Sequence, residues 1–159
     1  MKNKINIAVV GLGQVGIYLL NELNNKKNDI ELRTGKKINV VVVSARSISK
    51  KRRFKVNKKI FYKNPFEIFK KTKVDILFEA IGLSDGISKK VVETALKNKI
   101  HVINPNTALI SKHGDYLGKI AEDNNVNLEF EASVAGGIPV SYTHLRAHET
   151  DSYLVCRLL

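Results

Sequence analysis

The residues best suited to chemistry stand near the start of the chain, where Gly11-Leu12-Gly13-Gln14-Val15-Gly16 spells G-x-G-x-x-G. In such a turn the first glycine allows a sharp change of direction and the second lets a pyrophosphate approach the backbone. The third lets a helix pack closely on a strand. A helix opening there would offer unpaired N–H groups and a partial positive charge to the phosphates. The alternative, a purely structural glycine turn, has the same composition, and only a strand before and a helix after separate the two. A second group stands at Ser44-Ala45-Arg46-Ser47. A carboxylate at this distance would bond the adenosine ribose of NAD, and none is nearby. The planar guanidinium of Arg46 suits a 2′-phosphate, with Lys50 adding charge, which favours NADP over NAD. The plainer reading of Arg46 is a solvated loop arginine. A third group lies in the tail: His144 and His148 would share one face of a helix, with Glu149 adjacent and Cys156 as the sole thiol. A zincin needs glutamate directly after its first histidine, and Leu145 stands there.

The elements needed to position the glycine turn are legible. Residues 5–10 form a short apolar run that reads as a buried parallel strand, followed by a helix with Val15, Leu19, Leu20 and Leu23 on one face. Residues 24–37 are polar and loop-like, and residues 38–43 are β-branched and read as a second strand. After a basic stretch, Pro65 opens a short helix. Residues 74–78 form a third strand, 88–98 a helix with Val91, Val92, Ala95 and Leu96 inward, and 100–103 a fourth strand. Residues 111–124 form a helix and 126–130 a fifth strand. Strands alternating with helices predict an α/β fold, a doubly wound, Rossmann-like parallel sheet, incomplete and followed by a non-native tail.

The 159 residues suffice for one domain, and a chain of about 150 residues can bury roughly 70% of its unfolded surface. No apolar run approaches the roughly 20 residues that span a bilayer, and no signal peptide is visible, so no membrane role is expected. A lone cysteine fits a reducing compartment, with the cytoplasm as the expectation. The net charge of +12 invites a nucleic-acid reading, densest at Lys50-Lys51-Arg52-Arg53. No helix-turn-helix, zinc spacing or aromatic platform accompanies it, so a solvated basic surface is expected and no nucleic-acid partner.

The alternation stops near Pro139. Residues 140–149 read Val-Ser-Tyr-Thr-His-Leu-Arg-Ala-His-Glu and residues 154–159 read Leu-Val-Cys-Arg-Leu-Leu. These resemble the translation, in one frame and in order, of transposase-adapter DNA (GTC TCT TAT ACA CAT CTC CGA GCC CAC GAG, then CTC GTA TGC CGT CTT CTG). A variable index would lie between them. Two segments are therefore expected, residues 1–139 as an NAD(P)-binding domain and 140–159 as an adapter-derived tail with no domain. The histidines, Glu149 and Cys156 are discounted accordingly. The tail's charges cancel, Arg146 and Arg157 against Glu149 and Asp151, so the basic excess belongs to the first segment.

Several segments converge on one family. They are the G-L-G-Q-V-G turn, the Ala45-Arg46 pair, and Glu79-Ala80-Ile81-Gly82. With them come Asn104-Pro105-Asn106-Thr107-Ala108-Leu109 with His113-Gly114, and Glu131-Ala-Ser-Val-Ala-Gly-Gly-Ile-Pro139. In order and spacing residues 1–139 resemble the N-terminal NAD(P)-binding domain of homoserine dehydrogenases. The resemblance implies interconversion of aspartate 4-semialdehyde and homoserine with NADP or NAD, in threonine and methionine biosynthesis. It implies cofactor contacts at Gly11 to Gly16, Arg46, Ile81 and Gly82, and a homodimer at full length. It also implies a monovalent cation, usually sodium, held at Glu131, Val134, Gly136 and Ile138. Without the resemblance, that last run reads as a Gly-Gly-Ile-Pro turn.

The sequence departs from the family pattern Thr-x-Asn-Lys-Ala-Leu at Asn104 and at Thr107, where relatives carry a lysine close to nicotinamide and substrate. A one-base change from AAA to ACA would produce it. The family's substrate-binding acids and proton-donating lysine lie beyond Pro139. The resemblance therefore implies a cofactor-binding fragment with no catalytic residue of its own, inactive as written. The alternative is a non-catalytic nucleotide-sensing regulatory domain on the same fold.

Overall fold

The computed structural model describes residues 3–48 and 56–130. Within them, β1 (Lys4–Val10) leads through the glycine turn into α1 (Gln14–Asn25), then α2 (Lys27–Thr34) and β2 (Lys37–Ser44). A two-residue strand, β3 (Phe61–Tyr62), follows, then a 3₁₀ turn over Pro65–Glu67 that runs into α3 (Ile68–Lys71). The chain continues through β4 (Ile76–Glu79), α4 (Ile87–Lys97), β5 (His101–Ile103), α5 (Thr107–Asp123) and β6 (Leu128–Glu129).

The six strands form one sheet in the order β3-β2-β1-β4-β5-β6, and every ladder is parallel. This is the doubly wound, Rossmann-like α/β arrangement expected, in which strand order reverses between β1 and β4. Alternation along β1 divides the core. Ile5, Ile7 and Val9 pack with Leu19, Leu20 and Leu23 of α1 and Ile30 of α2. Ala8 and Val10 face the other way, towards Val91, Val92, Ala95 and Leu96 of α4 and Leu109, Leu117 and Ile120 of α5. A strand buried on both faces needs a run of apolar residues, which β1 supplies at 7–10, β2 at 40–43 and β4 at 76–78.

Four local expectations are corrected. Residues 24–37 are not loop but contain α2, which buries Ile30 alone and so shows no apolar stripe; Gly35 ends it at φ +68°. The edge strand β3 pairs only Phe61 and Tyr62 with Val43 and Ser44, too short for a period-two pattern. Helix α5 begins at Thr107 rather than 111, because the Asn106 side chain accepts the Leu109 N–H and caps it. Val15 is not on the inward face: it is 53% exposed, and the buried stripe is Gly16, Leu19, Leu20 and Leu23. In the first turn of α1 the inward position is Gly16, which lies against the Gly11 carbonyl and Val9 with no room for a side chain.

Candidate active site at the strand-order reversal

In open parallel sheets ligands bind outside the carboxyl ends of the strands where the order reverses. Here that point is flanked by the turn after β1 and the turn after β4. Gly11 adopts φ +97°, a left-handed conformation that favours glycine, and its N–H donates to the Ser44 carbonyl at 2.9 Å. A Cβ at Gly11 would collide with the Ala80 carbonyl and the Ile81 amide, so the two turns touch backbone to backbone. Gly16 lies against the Gly11 carbonyl with no room for a side chain. Gly13, the N-cap of α1, has nothing within 4 Å of its would-be Cβ. No side chain caps α1 and no acid lies in its first turn. The N–H groups there are oriented for an anion, and Gly13, Gln14 and Val15 are exposed while Leu12 is buried. These features fit a pyrophosphate: a tight turn, an open approach over Gly13 and an uncapped helix end.

Across the reversal, the Ala80 N–H donates to the Val10 carbonyl at 2.7 Å. Glu79 is fully buried at the end of β4, and its Oε1 accepts from the Ile81 N–H at 2.7 Å and the Ser88 hydroxyl at 2.9 Å. Burial pushes its carboxyl above the ordinary range, against the pull of those hydrogen bonds. Gly82 follows at φ +85°. The loop beyond is tied to α5 at two places. Asn106 Nδ2 donates to the Leu83 carbonyl at 2.8 Å, and Asp85 meets Lys112 Nζ at 2.6 Å and His113 Nε2 at 2.8 Å. Hydrogen bonds from Lys112 and His113 hold the Asp85 carboxyl well below the usual aspartate range.

The structure thus sets the turn that begins at Gly11 against the turn at Ala80 and Ile81, with Gly82 next in the chain. Arg46 is exposed two residues beyond β2, and Thr107 is exposed on the first turn of α5, both at the carboxyl edge of the sheet. The proposed cation ligands Glu131, Val134, Gly136 and Ile138 lie outside the described residues, as do Lys50 and the whole of 140–159. Among the described residues no cluster of three or more His, Cys, Asp or Glu is placed to hold a metal. No described helix is long and apolar enough to cross a membrane. Sequence reasoning gave no separate role to Asp85 or Lys112. Only the pairing across 27 and 28 residues reveals them.

Residues 11–131 match the model of the homoserine dehydrogenase NAD binding domain, beginning at the first glycine of the turn. The chain belongs to the homoserine dehydrogenase family. It is 35% identical over 136 residues to the homoserine dehydrogenase of Neisseria gonorrhoeae, covering 86% of this chain and 31% of that one. A crystal structure of the Staphylococcus aureus homoserine dehydrogenase superposes with a TM-score of 0.77 at 36% identity, over 83% of this chain and 34% of that one. A hyperthermophilic archaeal homoserine dehydrogenase solved in complex with NADPH has a TM-score of 0.64 at 22% identity, a likeness of fold. The chain therefore spans about a third of the length of the bacterial relatives it matches. The part of the homoserine dehydrogenase family that it matches is the NAD binding domain.

Proposed function

We propose that this chain binds NADPH, and less tightly NADH, across the crevice between residues 11–16 and residues 80–82. In this reading it forms the cofactor half of an enzyme that interconverts aspartate 4-semialdehyde and homoserine. The observation that carries the proposal is the backbone contact between Gly11 and Ala80-Ile81 at the strand-order reversal, beside an uncapped α1. When bound, the cofactor supplies or accepts the hydride. The chain's own residues orient it: the N–H groups of α1 face the pyrophosphate, Arg46 pairs with the 2′-phosphate, and Ile81 and Gly82 line the opposite half. The same reading assigns a monovalent cation, sodium, to backbone carbonyls at Glu131, Val134, Gly136 and Ile138, donors suited to a hard ion. It also assigns a homodimer to the full-length protein.

The 159-residue chain is proposed to bind without turning over. Thr107 offers a hydroxyl where the family places an ammonium, and losing a comparable electrostatic donor costs roughly 10²–10³ in turnover. Residues 140–159 are read as adapter-derived, on their match to translated adapter DNA. The test is fluorescence titration with NADPH and NADH, beside an assay of semialdehyde-dependent NADPH oxidation. Saturable binding, tighter for NADPH, with no turnover is expected. A folded chain that binds neither nucleotide overturns the cofactor reading, and turnover overturns the inactivity.

A further inference from the structure

Strand β4 ends on a carboxylic acid sealed from solvent. Glu79 is 0% exposed, and so is the Ser88 hydroxyl that it accepts from on the first turn of α4. Fully burying a carboxyl costs free energy unless its oxygens are satisfied, so its retention in the middle of a sheet calls for a local reason. Oε1 accepts both the Ser88 hydroxyl and the Ile81 N–H; among the described residues Oε2 is buried with no direct hydrogen bond of its own, and the Asn106 side chain and the Gly82 N–H are the other polar groups acting on this carboxyl. Oε1 therefore joins three pieces of backbone: the end of β4, the turn at residues 80–82 and the start of α4. The residue between, Ala80, is fixed from the other side by the Val10 carbonyl at 2.7 Å. The backbone entering the turn is thus held at two successive N–H groups, those of Ala80 and Ile81, and lies against Gly11 where a Cβ would not fit.

The position of this turn decides which half of a dinucleotide it serves. The adenosine end belongs to the β1–β2 side, where Arg46 stands, so the nicotinamide end falls on the β4 side. We propose that Glu79 is a positioning residue that fixes the Ala80–Ile81 peptide, and through it the turn into Gly82, for the nicotinamide half of the cofactor, an assignment that rests on the cofactor reading above. Its action is indirect, through the backbone it holds. Burial favours the neutral carboxyl, so glutamine, which keeps an acceptor at the Oε1 position, is the conservative replacement.

The experiment measures two ligands on the 159-residue chain: NADPH, and 2′,5′-ADP, which carries the adenosine and 2′-phosphate but no nicotinamide. Glu79→Ala is expected to weaken NADPH about ten-fold and Ser88→Ala about three-fold, with 2′,5′-ADP changed less than about two-fold. Glu79→Gln is expected to stay within about three-fold of the parent for both ligands. Ser88→Ala carries the same ratio if Glu79→Ala does not fold. Equal loss of both ligands, NADPH binding unchanged in Glu79→Ala and Ser88→Ala, or Glu79→Gln as impaired as Glu79→Ala overturns the positioning role. A folded parent chain that binds neither ligand instead overturns the cofactor reading itself.

Discussion

Gly16 faces the carbonyl oxygen of Gly11 so closely that a Cβ on Gly16 would overlap it. The third glycine of the turn is therefore required by the packing of α1 on β1, whereas the second, Gly13, has open space around it. The two positions separate stability from binding. Gly16→Ala is expected to destabilise the chain by about 2–4 kcal/mol, because backbone rather than a flexible side chain must move. Gly13→Ala is expected to keep the parent's urea midpoint and to weaken NADPH about ten-fold or more by crowding the pyrophosphate. Urea titration and NADPH fluorescence on both variants check the pair.

Arg46 lies at the carboxyl end of β2, exposed and with no carboxylate in its Ser44-Ala45-Arg46-Ser47 segment. A guanidinium that grips a 2′-phosphate discriminates NADPH from NADH. Arg46→Ala is expected to raise the Kd for NADPH about ten-fold and leave that for NADH nearly unchanged. Equal effects on both nucleotides would return Arg46 to the status of a solvated loop residue.

Asp85 clasps the loop after β4 onto α5 through Lys112 and His113. Those partners hold its carboxyl below the ordinary value of 3.8, so the clasp's contribution is present above that pH and fades as pH falls. Asp85→Asn is expected to lower the thermal midpoint at neutral pH. The gap from the parent should close as both are taken below pH 3.8. A gap that persists in acid would contradict the clasp.

Glu79 titrates in the opposite sense. Its carboxyl is raised above 4.5 by burial, so the folded chain holds this proton more tightly than the unfolded chain does. Its stabilising effect is complete below 4.5 and is lost as pH rises through the folded value. Glu79→Gln removes that dependence and is expected to gain on the parent between acid and neutral pH in urea midpoints.

The sequence was most legible where pattern and burial coincide. Val91, Val92, Ala95 and Leu96 repeat at helical spacing, and all four are completely buried in α4. The glycine turn was readable because each glycine answers a local geometric demand. Where one residue does the anchoring, as Ile30 does for α2, no periodicity exists to read. Val15 was misplaced because i, i+4 spacing to Leu19 is satisfied on either side of a narrow stripe. The packing of Gly16 against the Gly11 carbonyl and Val9 fixes which side of that stripe faces inward, as the third glycine of the motif already implied. The Asp85 clasp and the Asn106-to-Leu83 bond join residues more than 20 apart, and no local pattern encodes such pairs.

In the proposed function one crevice, between residues 11–16 and 80–82, receives the cofactor. Backbone hydrogen–deuterium exchange on the 159-residue chain, with and without saturating NADPH, tests it most directly. Slowed exchange is expected at Gly13, Gln14, Val15, Ile81 and Gly82, with little change at the opposite edge of the sheet around His101. NADPH binding that leaves both turns unprotected, or protects another surface instead, would contradict it.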